Sequence, residues 1–600
     1  MRFLPTFLAS VLGTLTAMGC AVFVVFIIVL GFATAGVATP SIASGSVLVL
    51  EIDGDIADIS AADPVTAMFG DEHLDLADIR QALHMAAVDE RIAAVWLQVG
   101  SVSSGWATLQ EVRAALERFH ASGKPLYASA RGPHMAEAGY FLASVADTVA
   151  VQPLTIFEFN GFVLTAEFYK RLLDKLDVQA EVVRAGSFKG AVEPYIREDL
   201  SPENREQLAA LLADQNREFL GAVAASRATT PEALESIIQK SAPFSAEAGL
   251  EHGLIDALMM PDQVHSLLKA RLGMSAGSNL RLVAAEEYAM SSPSEAGVAL
   301  ATGGQVGLVY VTGGIVDGET GESLNPLMGG TVVGDETFRK SMQEARASDA
   351  VKAVVLRINS PGGSASASEA MRREIMLTRE LKPVIVSMGD YAASGGYWIA
   401  TGADTIVADP LTITGSIGVF SLLFDAGGLF EDKLGITFDQ VQTSPWADLG
   451  SSIAPLSRAE RAVLQRGVDF TYETFLSHVS AATGLDTARV HEIAQGRVWT
   501  GAQAHKLGLV HELGDLRMAL DMAAARAGIA RDAYRVRVLT KPKSRLERIL
   551  SGLNSGARAW LASWRSPAER ALGERAAMYE ALVRQHGQVQ AVMPVQFTLR

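Results

Sequence analysis

The stretch from Asp390 to Trp398, DYAASGGYW, contains a serine in a setting that suits nucleophilic catalysis. It follows a short apolar run typical of a strand, KPVIVSMG, and precedes a run typical of a helix, WIATGAD. Ser394 is therefore predicted to lie at a strand-to-helix turn, between residues too small to shield its hydroxyl. Because a serine hydroxyl is a weak nucleophile until a neighbouring base removes its proton, the chain must also supply that base.

The elements that position Ser394 occur twice in the chain. GYFLASVADTVAVQPLT at 139–155 recurs as GYWIATGADTIVADPLT at 396–412, and four other segments recur in the same order. Each copy alternates short β-branched runs with longer helical patterns, which is the signature of βαβ units in a largely parallel sheet. The predicted fold class is therefore α/β, built as a tandem repeat of one βαβ domain.

The repeat also predicts the domain boundaries. Residues 46–258 form the first copy, 259–300 a linker with GMSAGSN and SSPSEAG, and 301–525 the second copy. Residues 526–600 form a basic, amphipathic tail. We expect a helix in that tail, either covering a partner subunit, lying near a membrane surface, or solvated.

The two copies differ at the residues that could do chemistry. Glu137 stands opposite Ser394, and Ala447 stands opposite Lys189. The paired glycines of INSPGGSASA at 358–367 have no counterpart in the first copy. Positions that serve the scaffold should match between copies, whereas positions that serve a site need not. The pattern predicts one composite site, with the serine from the second copy and the lysine from the first.

Lys189 is the candidate general base of that site. A lysine amine can take a proton near neutral pH only if burial lowers its pKa from about 10.4. The N–H groups of Gly362, Gly363 and Gly395 are candidate donors to the developing oxyanion, at about 3 kcal/mol per donor. Taken alone, SPGG is more often a plain turn, an ASGG run is more often a site of tight helix-strand packing, and a single lysine is more often a solvated charge. Their one-sided placement in a duplicated scaffold favours catalysis.

Composition limits the partners and the cofactors. The net charge is −16, from 51 basic and 67 acidic residues, which argues against a nucleic-acid partner. Cys20 is the single cysteine, which excludes internal disulfides and cysteine-based zinc sites. HEIAQ at 491 and HELGD at 511 both fail the H-E-x-x-H pattern at its fifth position, which disfavours a metalloprotease. We expect neither a metal nor another cofactor.

The N-terminal segment predicts a membrane anchor. No charged residue occurs between Arg2 and Glu51, and most of the segment is apolar and longer than the ~20 residues that span a bilayer. The positive-inside tendency places residues 1–8 in the cytoplasm, 9–34 in the membrane, and the rest of the chain outside the cytoplasm. A cleaved signal peptide and, more weakly, a lipoprotein at Cys20 are the alternatives.

Four motifs resemble those of the signal peptide peptidase A (protease IV) family in its long, duplicated form: GSFKGAVEPYIREDLSP at 186–202, INSPGGSASASE at 358–369, GDYAASGGYWIA at 389–400 and TGSIGVF at 414–420. The resemblance covers essentially residues 46–525. It implies a crotonase- and Clp-protease-like fold, a homotetramer, and a bacterial inner-membrane serine endopeptidase with periplasmic catalytic domains that degrades signal peptides left in the membrane. It assigns the nucleophile to Ser394, the base to Lys189, orientation of the lysine amine to Ser416, and the oxyanion region to Gly362, Gly363 and Gly395.

Other functions stay open from the sequence. The fold could carry crotonase-type acyl-CoA chemistry, or the chain could be a catalytically silent membrane scaffold. SLLK at 266–269 fits the S-x-x-K pattern but lacks the S-D-N and K-T-G motifs, so we expect an ordinary amphipathic helix there. No histidine lies in a motif, although distance along the sequence does not exclude a histidine-based triad. The small and aromatic residues around SPGGSASA and GGYW favour apolar peptides as substrates, with membrane lipid as a further partner.

Overall fold

The computed structural model of the chain describes residues 42–60, 74–299, 301–322, 330–540 and 589–592, and the isolated positions 13, 16, 19 and 20. Apart from those four positions, the predicted anchor at 9–34 lies outside the described residues, as does most of the predicted tail. Within the part of the chain that is described, no helix is both long enough and apolar enough to cross a membrane.

The strands are numbered in chain order. Those of the first repeat are β1 (Ser46–Gly54), β2 (Ile92–Val102), β3 (Leu126–Ala130), β4 (His134–Met135), β5 (Thr148–Val151), β6 (Ile156–Phe157), β7 (Gln179–Ala185), β8 (Ala257–Leu258) and β9 (Leu282–Ala284). Those that follow are β10 (Gln305–Thr312), β11 (Gly314–Val316), β12 (Gly321–Glu322), β13 (Thr331–Gly334), β14 (Val351–Ser360), β15 (Gly362–Ser364), β16 (Val384–Ala393), β17 (Thr405–Ala408), β18 (Ile413–Gly415), β19 (Val419–Asp425), β20 (Val498–Thr500), β21 (Glu512–Leu513), β22 (Arg535–Val538) and β23 (Gln590–Val592).

The helices are numbered from the first one in the described ranges. The first repeat has α1 (Leu76–Val88), α2 (Trp106–His120), α3 (Glu137–Ala143), α4 (Lys170–Lys175), α5 (Glu193–Ile196), α6 (Pro202–Ser226), α7 (Pro231–Lys240), α8 (Ala246–Glu251), α9 (Pro261–Arg271) and α10 (Ala285–Ala289). The second has α11 (Asp335–Ala347), α12 (Ala365–Arg379), α13 (Gly395–Ala400), α14 (Arg458–Thr483), α15 (Thr487–Ile493), α16 (Gly501–Lys506) and α17 (Leu516–Arg526).

The sheet topology confirms the α/β tandem duplication. The first repeat forms a parallel sheet in the order β8-β5-β3-β2-β1-β9. The second repeat forms the same order from its own strands, β21-β17-β16-β14-β10-β22, and adds β18 and β20 beside β16. Each strand of the first sheet therefore has a counterpart at the same place in the second.

The central strands are buried along most of their length. Residues 306–311 of β10 and 353–358 of β14 are all buried, and nearly all of them are apolar. Parallel strands covered by helices on both faces are expected to be apolar in this continuous way. The β-branched runs that predicted strands in the sequence therefore form the central strands in the cores of the two repeats.

A third sheet joins the two repeats. Its order is β12-β13-β11-β15-β23-β19-β7, and β7 comes from the first repeat. β7 pairs antiparallel with β19, from Gln179 opposite Asp425 to Ala185 opposite Val419. Because the loop after β7 carries Lys189, this pairing delivers the lysine to the second repeat.

A buried ionic cluster also links the repeats. Arg357 on β14 is fully buried, and its Nε lies 2.8 Å from Oδ1 of Asp58 while its Nη1 lies 2.5 Å from Oε1 of Glu111. Both carboxylates belong to the first repeat. Removing one partner of such a pair leaves an uncompensated buried charge, which costs about 3–5 kcal/mol. The cluster therefore fixes the relative position of the repeats.

Residues 259–299, the described part of the segment predicted as a linker, belong to the first repeat. They contain α9, β9 and α10, and β9 pairs parallel with β1, which makes them the last part of that repeat. β22 pairs with β10 in the same way, so the second repeat extends beyond residue 525. Both edge strands are only 3 and 4 residues long, too short for a recognisable strand pattern in the sequence.

Candidate active site

Ser394 lies at the turn where β16 ends at Ala393 and α13 begins at Gly395, as the sequence predicted. The turn holds this serine at φ 53° and ψ −112°, a conformation that costs a non-glycine residue on the order of 1–3 kcal/mol. Its N–H donates to the carbonyl oxygen of Gly415 at 2.8 Å, which fixes the turn against β18. The surrounding fold therefore maintains a strained serine at a defined position, fully buried in this structure.

Lys189 reaches this serine from the first repeat. It follows β7, directly before a 3₁₀ turn at Gly190–Val192, and it is fully buried. Its Nζ lies 2.7 Å from Oγ of Ser394, 2.9 Å from the carbonyl oxygen of Ser416 and 3.0 Å from Oγ of Ser416. The structure thus brings together the three side chains that the sequence and the resemblance placed in one site.

Burial lowers the pKa of Lys189 well below its ordinary value, because desolvation penalises the ammonium form. A neutral amine has two N–H donors and one lone pair. With its two N–H groups donating to the carbonyl oxygen and Oγ of Ser416, the lone pair is left for the hydroxyl of Ser394. In this arrangement the amine can accept the proton of the hydroxyl, which makes the oxygen a nucleophile.

Ser416 is itself held by the segment before β20. Its N–H donates to the carbonyl oxygen of Arg497 at 2.7 Å, and its Oγ donates to the carbonyl oxygen of Gly496 at 3.4 Å. A side chain at Gly496 would bring its Cβ to 2.7 Å from Cβ of Lys189, and its φ of +76° also favours glycine. This segment, which the sequence did not indicate, therefore supports both Ser416 and the lysine.

A buried polar network behind the lysine was also missed. Gln207 on α6 is fully buried, donates through Nε2 to the carbonyl oxygen of Phe188 at 3.0 Å, and accepts the N–H of Val498 at 3.0 Å. Asn204, one turn earlier, donates to Oε2 of Glu193 at 3.0 Å. These bonds tie the lysine loop on both sides to α6 and β20. Glu193 lies inside the motif GSFKGAVEP, but nothing in the sequence indicated that the polar residues of α6 face inward.

The predicted oxyanion glycines lie beside the nucleophile. Gly362 and Gly363 form part of β15, which packs against α13. The N–H of Gly362 donates to Oγ of Ser360 at 3.1 Å. The N–H of Gly395 opens α13, where the side chain of Ser394 makes no capping bond and first-turn N–H groups have no partner within the helix. The oxyanion assignment stays a prediction, and Gly395 has the most suitable position for it.

Comparison with known proteins assigns the chain to a family. The sequence pattern of Peptidase family S49 matches residues 118–275 and 377–530, one segment in each repeat. The chain belongs to peptidase family S49. It is a serine protease with two copies of the S49 unit.

Relatives of this S49 protease match along most of its length. Protease 4 of Salmonella typhi is 36% identical over 459 residues, which are 75% of this chain and 71% of that protein. Protease 4 of Haemophilus influenzae is 30% identical over 562 residues, 89% of each protein. The chloroplastic serine protease SPPA of Arabidopsis thaliana is 32% identical over 516 residues, 85% of this chain and 74% of that protein. None of these similarities supports an acyl-CoA enzyme or a silent scaffold.

Two solved structures are also similar to this S49 protease. A mutant of the 1510-N membrane-bound stomatin-specific protease in complex with a substrate peptide is 15% identical, with a TM-score of 0.26, over 42% of this chain and 99% of that one. A mutant of ClpP1 from Listeria monocytogenes is 16% identical, with a TM-score of 0.23, over 36% of this chain and 94% of that one.

The first repeat of this S49 protease keeps the position of the nucleophile but not its chemistry. Glu137 is the first residue of α3, and Ser394 is the residue directly before α13, so the two lie at corresponding turns. Oε1 of Glu137 accepts the N–H groups of Asn160 at 2.7 Å and Gly161 at 3.1 Å. Burial raises the pKa of Glu137, whereas the two hydrogen bonds lower it by a smaller amount. The counterpart of the active site in the first repeat is therefore structural.

The other serine-lysine pair of the S49 chain forms no dyad. Ser266 is exposed on α9, and its Oγ donates to the carbonyl oxygen of Asp262 at 2.9 Å. Nζ of Lys269 donates instead to the carbonyl oxygen of Ala276 at 3.3 Å. The expected ordinary helix at SLLK is confirmed. Across the described ranges, no group of three or more His, Cys, Asp or Glu side chains is placed to hold a metal ion.

Proposed function

We propose that this serine protease is an endopeptidase with a Ser394/Lys189 dyad that hydrolyses cleaved signal peptides and other apolar peptides. The observation that carries the proposal is the 2.7 Å separation of Lys189 Nζ and Ser394 Oγ, at a lysine that is fully buried. A buried neutral amine beside a serine hydroxyl is the arrangement that general-base activation requires.

The proposed reaction has two stages. Lys189 takes the proton of Ser394 as Oγ attacks the carbonyl carbon of the scissile bond, and the N–H of Gly395 donates to the oxyanion, with the glycines Gly362 and Gly363 beside it. The ammonium of Lys189 then gives its proton to the leaving amine, and an acyl ester forms on Ser394. In the second stage the same amine activates water, which releases the acyl group and restores the hydroxyl.

The substrate class rests on the relatives and on the sequence around the site. A putative signal peptide peptidase SppA of Enterococcus faecium is 36% identical over 187 residues, 31% of this chain and 54% of that protein. The small and aromatic side chains of SPGGSASA and GGYW suit an apolar peptide in an extended conformation.

We further propose a crotonase- and Clp-protease-like fold for each repeat, a single membrane anchor at 9–34 with residues 1–8 in the cytoplasm, and catalytic domains in the periplasm of a bacterial inner membrane. The apolar composition of the anchor segment supports membrane placement and a lipid contact. A homotetramer is supported by five exposed apolar side chains within residues 434–446, namely Leu434, Ile436, Phe438, Val441 and Trp446.

Peptide hydrolysis by the detergent-solubilised full chain tests the proposed chemistry. Ser394→Ala and Lys189→Ala should each lower kcat/KM by about 10³-fold or more, since members of a catalytic unit fail together. Lys170→Ala, which removes a lysine paired with Asp174 on the surface of α4, is the matched control and should retain full activity. Full activity in either dyad variant would overturn the proposal, and turnover of acyl-CoA but not of peptides would replace it with crotonase-type chemistry.

A further inference from the structure

A cavity of about 790 Å³ lies at the boundary between the two repeats. The first repeat lines it with Glu137, which stands opposite Ser394, and with residues 102–106, which align with residues 361–365 around the paired glycines. The second repeat closes the other side with residues at the carboxyl ends of β10, β14 and β16. The cavity is therefore the counterpart, in the first repeat, of the space beside the nucleophile, and its volume is that of a ligand pocket.

The cavity is lined by acidic side chains without a basic counterpart. Among the described residues that line it, none is lysine, arginine or histidine, whereas four are acidic: Asp55, Asp58, Glu137 and Asp390. Asp58 is compensated by its ion pair with Arg357. The other three carboxyl groups have no such partner in the described parts of the chain, and burial raises the pKa of each one. A cation bound in the cavity would compensate their charge.

Two polar groups of the cavity lack hydrogen-bond partners. Glu137 is only 5% exposed, and its Oε1 accepts the N–H groups of Asn160 and Gly161, but no other described residue donates to its Oε2. Thr312, from the second repeat, has a buried hydroxyl without a partner among the described residues. Buried polar groups are seldom left unpaired. A bound group with several N–H donors, such as an ammonium or a guanidinium, would supply the missing partners.

Aromatic rings form much of the remaining wall of the cavity, namely those of Trp106, Phe162, Tyr310 and Tyr391. The face of an aromatic ring attracts a cation, and the ring also packs against methylene groups. An anion would be repelled by the carboxyl groups, and a purely apolar ligand would leave them unpaired. The lining therefore fits a positive charge on an apolar body.

We propose that the cavity between the repeats is a non-catalytic binding site for a basic, apolar peptide, whose lysine or arginine side chain pairs with Glu137 and Asp55. Signal peptides have this chemistry, because a positively charged segment precedes their apolar one. The inference rests on the proposed function for the origin of the peptide, but not for how binding is tested. The first repeat, which has no nucleophile at the position of Glu137, would then serve recognition while the second repeat serves hydrolysis.

Two substitutions remove the charge of the site without removing its shape. Glu137→Gln keeps an oxygen that can accept the N–H groups of Asn160 and Gly161 and replaces only the second oxygen. Asp55→Asn changes an exposed residue, so a lost effect on binding cannot be attributed to misfolding. Glu251→Gln, which neutralises an exposed carboxyl at the end of α8, is the matched control.

A binding measurement on the detergent-solubilised full chain with Ser394→Ala tests the proposal without catalysis. The probes are two fluorescent synthetic peptides, Lys-Lys-Leu-Ala-Leu-Leu-Ala-Leu and the same peptide with glutamine in place of both lysines. We expect the basic peptide to bind about tenfold more tightly or better than the neutral one. Glu137→Gln and Asp55→Asn should each weaken binding of the basic peptide by about tenfold, whereas Glu251→Gln should leave it unchanged.

Equal affinities for the two peptides would overturn the inference. A preference for the basic peptide that persists in both Glu137→Gln and Asp55→Asn would also overturn it, because the cation would then be bound elsewhere, for example beside the nucleophile. Peptide hydrolysis that survives Ser394→Ala would defeat the proposed function alone, since the effect of the two substitutions on affinity still decides this inference.

Discussion

The amine of Lys189 lies 2.9 Å from the carbonyl oxygen of Ser416 and 3.0 Å from Oγ of the same residue. A lysine amine rotates freely about its last bond unless its hydrogens are held. Two acceptors on one residue, itself fixed by the N–H bond to Arg497, hold both N–H groups of a neutral amine. The lone pair is then directed at Oγ of Ser394, 2.7 Å away.

Ser416→Ala should lower kcat by about 10- to 100-fold and leave KM unchanged. The variant removes one of the two acceptors and leaves the carbonyl oxygen in place; in the transition state, where the amine becomes an ammonium, this acceptor is worth about 1.5–3 kcal/mol. The lone pair of Lys189 is then directed at the hydroxyl of Ser394 for a smaller fraction of the time, while substrate binding is unaffected. Steady-state kinetics with an apolar peptide measures both constants.

Ser187→Ala is the control for this substitution. Ser187 lies two residues before Lys189 but is exposed, and its backbone N–H, which an alanine keeps, donates to Oε1 of Gln495 at 3.4 Å. It should behave as the parent protein. A Ser416→Ala enzyme with an unchanged kcat, or with a change confined to KM, would show that Ser416 does not orient the base.

The pH dependence of kcat/KM should follow the protonation of Lys189. Burial lowers the pKa of this amine, and only the neutral form is a base, so activity should fall as the pH falls through that lowered value and level off above it. Lys189→Arg should be inactive at every pH, because a guanidinium is not deprotonated in proteins. A parent profile without an acidic limb would contradict the assignment of Lys189 as the base.

Gly496→Ala should reduce kcat by about 100-fold or more. The added Cβ would lie 2.7 Å from Cβ of Lys189, and a displacement of the base by about 1 Å is enough for such a loss. Gly484→Ala is a matched control, because Gly484 has a similar φ of +73° with no atom within 4 Å of its Cβ position. Both variants should lose about 1–2 kcal/mol of stability from backbone strain. Equal kcat values in the two variants would show that the contact with Lys189 is unimportant.

The sequence predicted the parts of this site that occur as local patterns. The turn at Ser394 follows from an apolar run, small residues and a helical run, and comparison of the copies singled out Lys189 because Ala447 replaces it in the second copy. Both signals come from neighbouring residues or from the repeat within the chain, so a single sequence is enough to reveal them.

Other features depend on contacts between distant segments and could not be predicted. The pairing of Ala185 with Val419 sets the distance between the lysine and the serine, but the sequence of neither strand indicates which strand it pairs with. Gly496 becomes essential only through its approach to Lys189, and Gln207 reads as an ordinary polar residue on a helix. The strand at 590–592 is too short for any pattern.

The contact between Asp390 and Thr108 provides a test of how the repeats are held together. The two oxygens of this carboxyl accept the N–H of Thr108 at 2.9 Å and its hydroxyl at 2.7 Å, across the boundary between the repeats. Burial raises the pKa of Asp390 to about 6, in opposition to those two bonds. In the unfolded chain an aspartate titrates near 3.9, so between these values the folded protein holds a proton that the unfolded chain has released.

Asp390→Asn should therefore become increasingly stabilising as the pH rises from about 4 to about 7. At pH 4 the folded aspartate is neutral and similar in shape to an asparagine, whereas at pH 7 it must ionise at a partly buried position, at a cost of up to about 3 kcal/mol. Urea unfolding at the two pH values measures the difference between variant and parent. Asp432→Asn, an exposed carboxyl, should change stability by less than about 0.5 kcal/mol at both. A stability difference for Asp390→Asn that stays constant with pH would mean that this carboxyl is not desolvated at the boundary between the repeats.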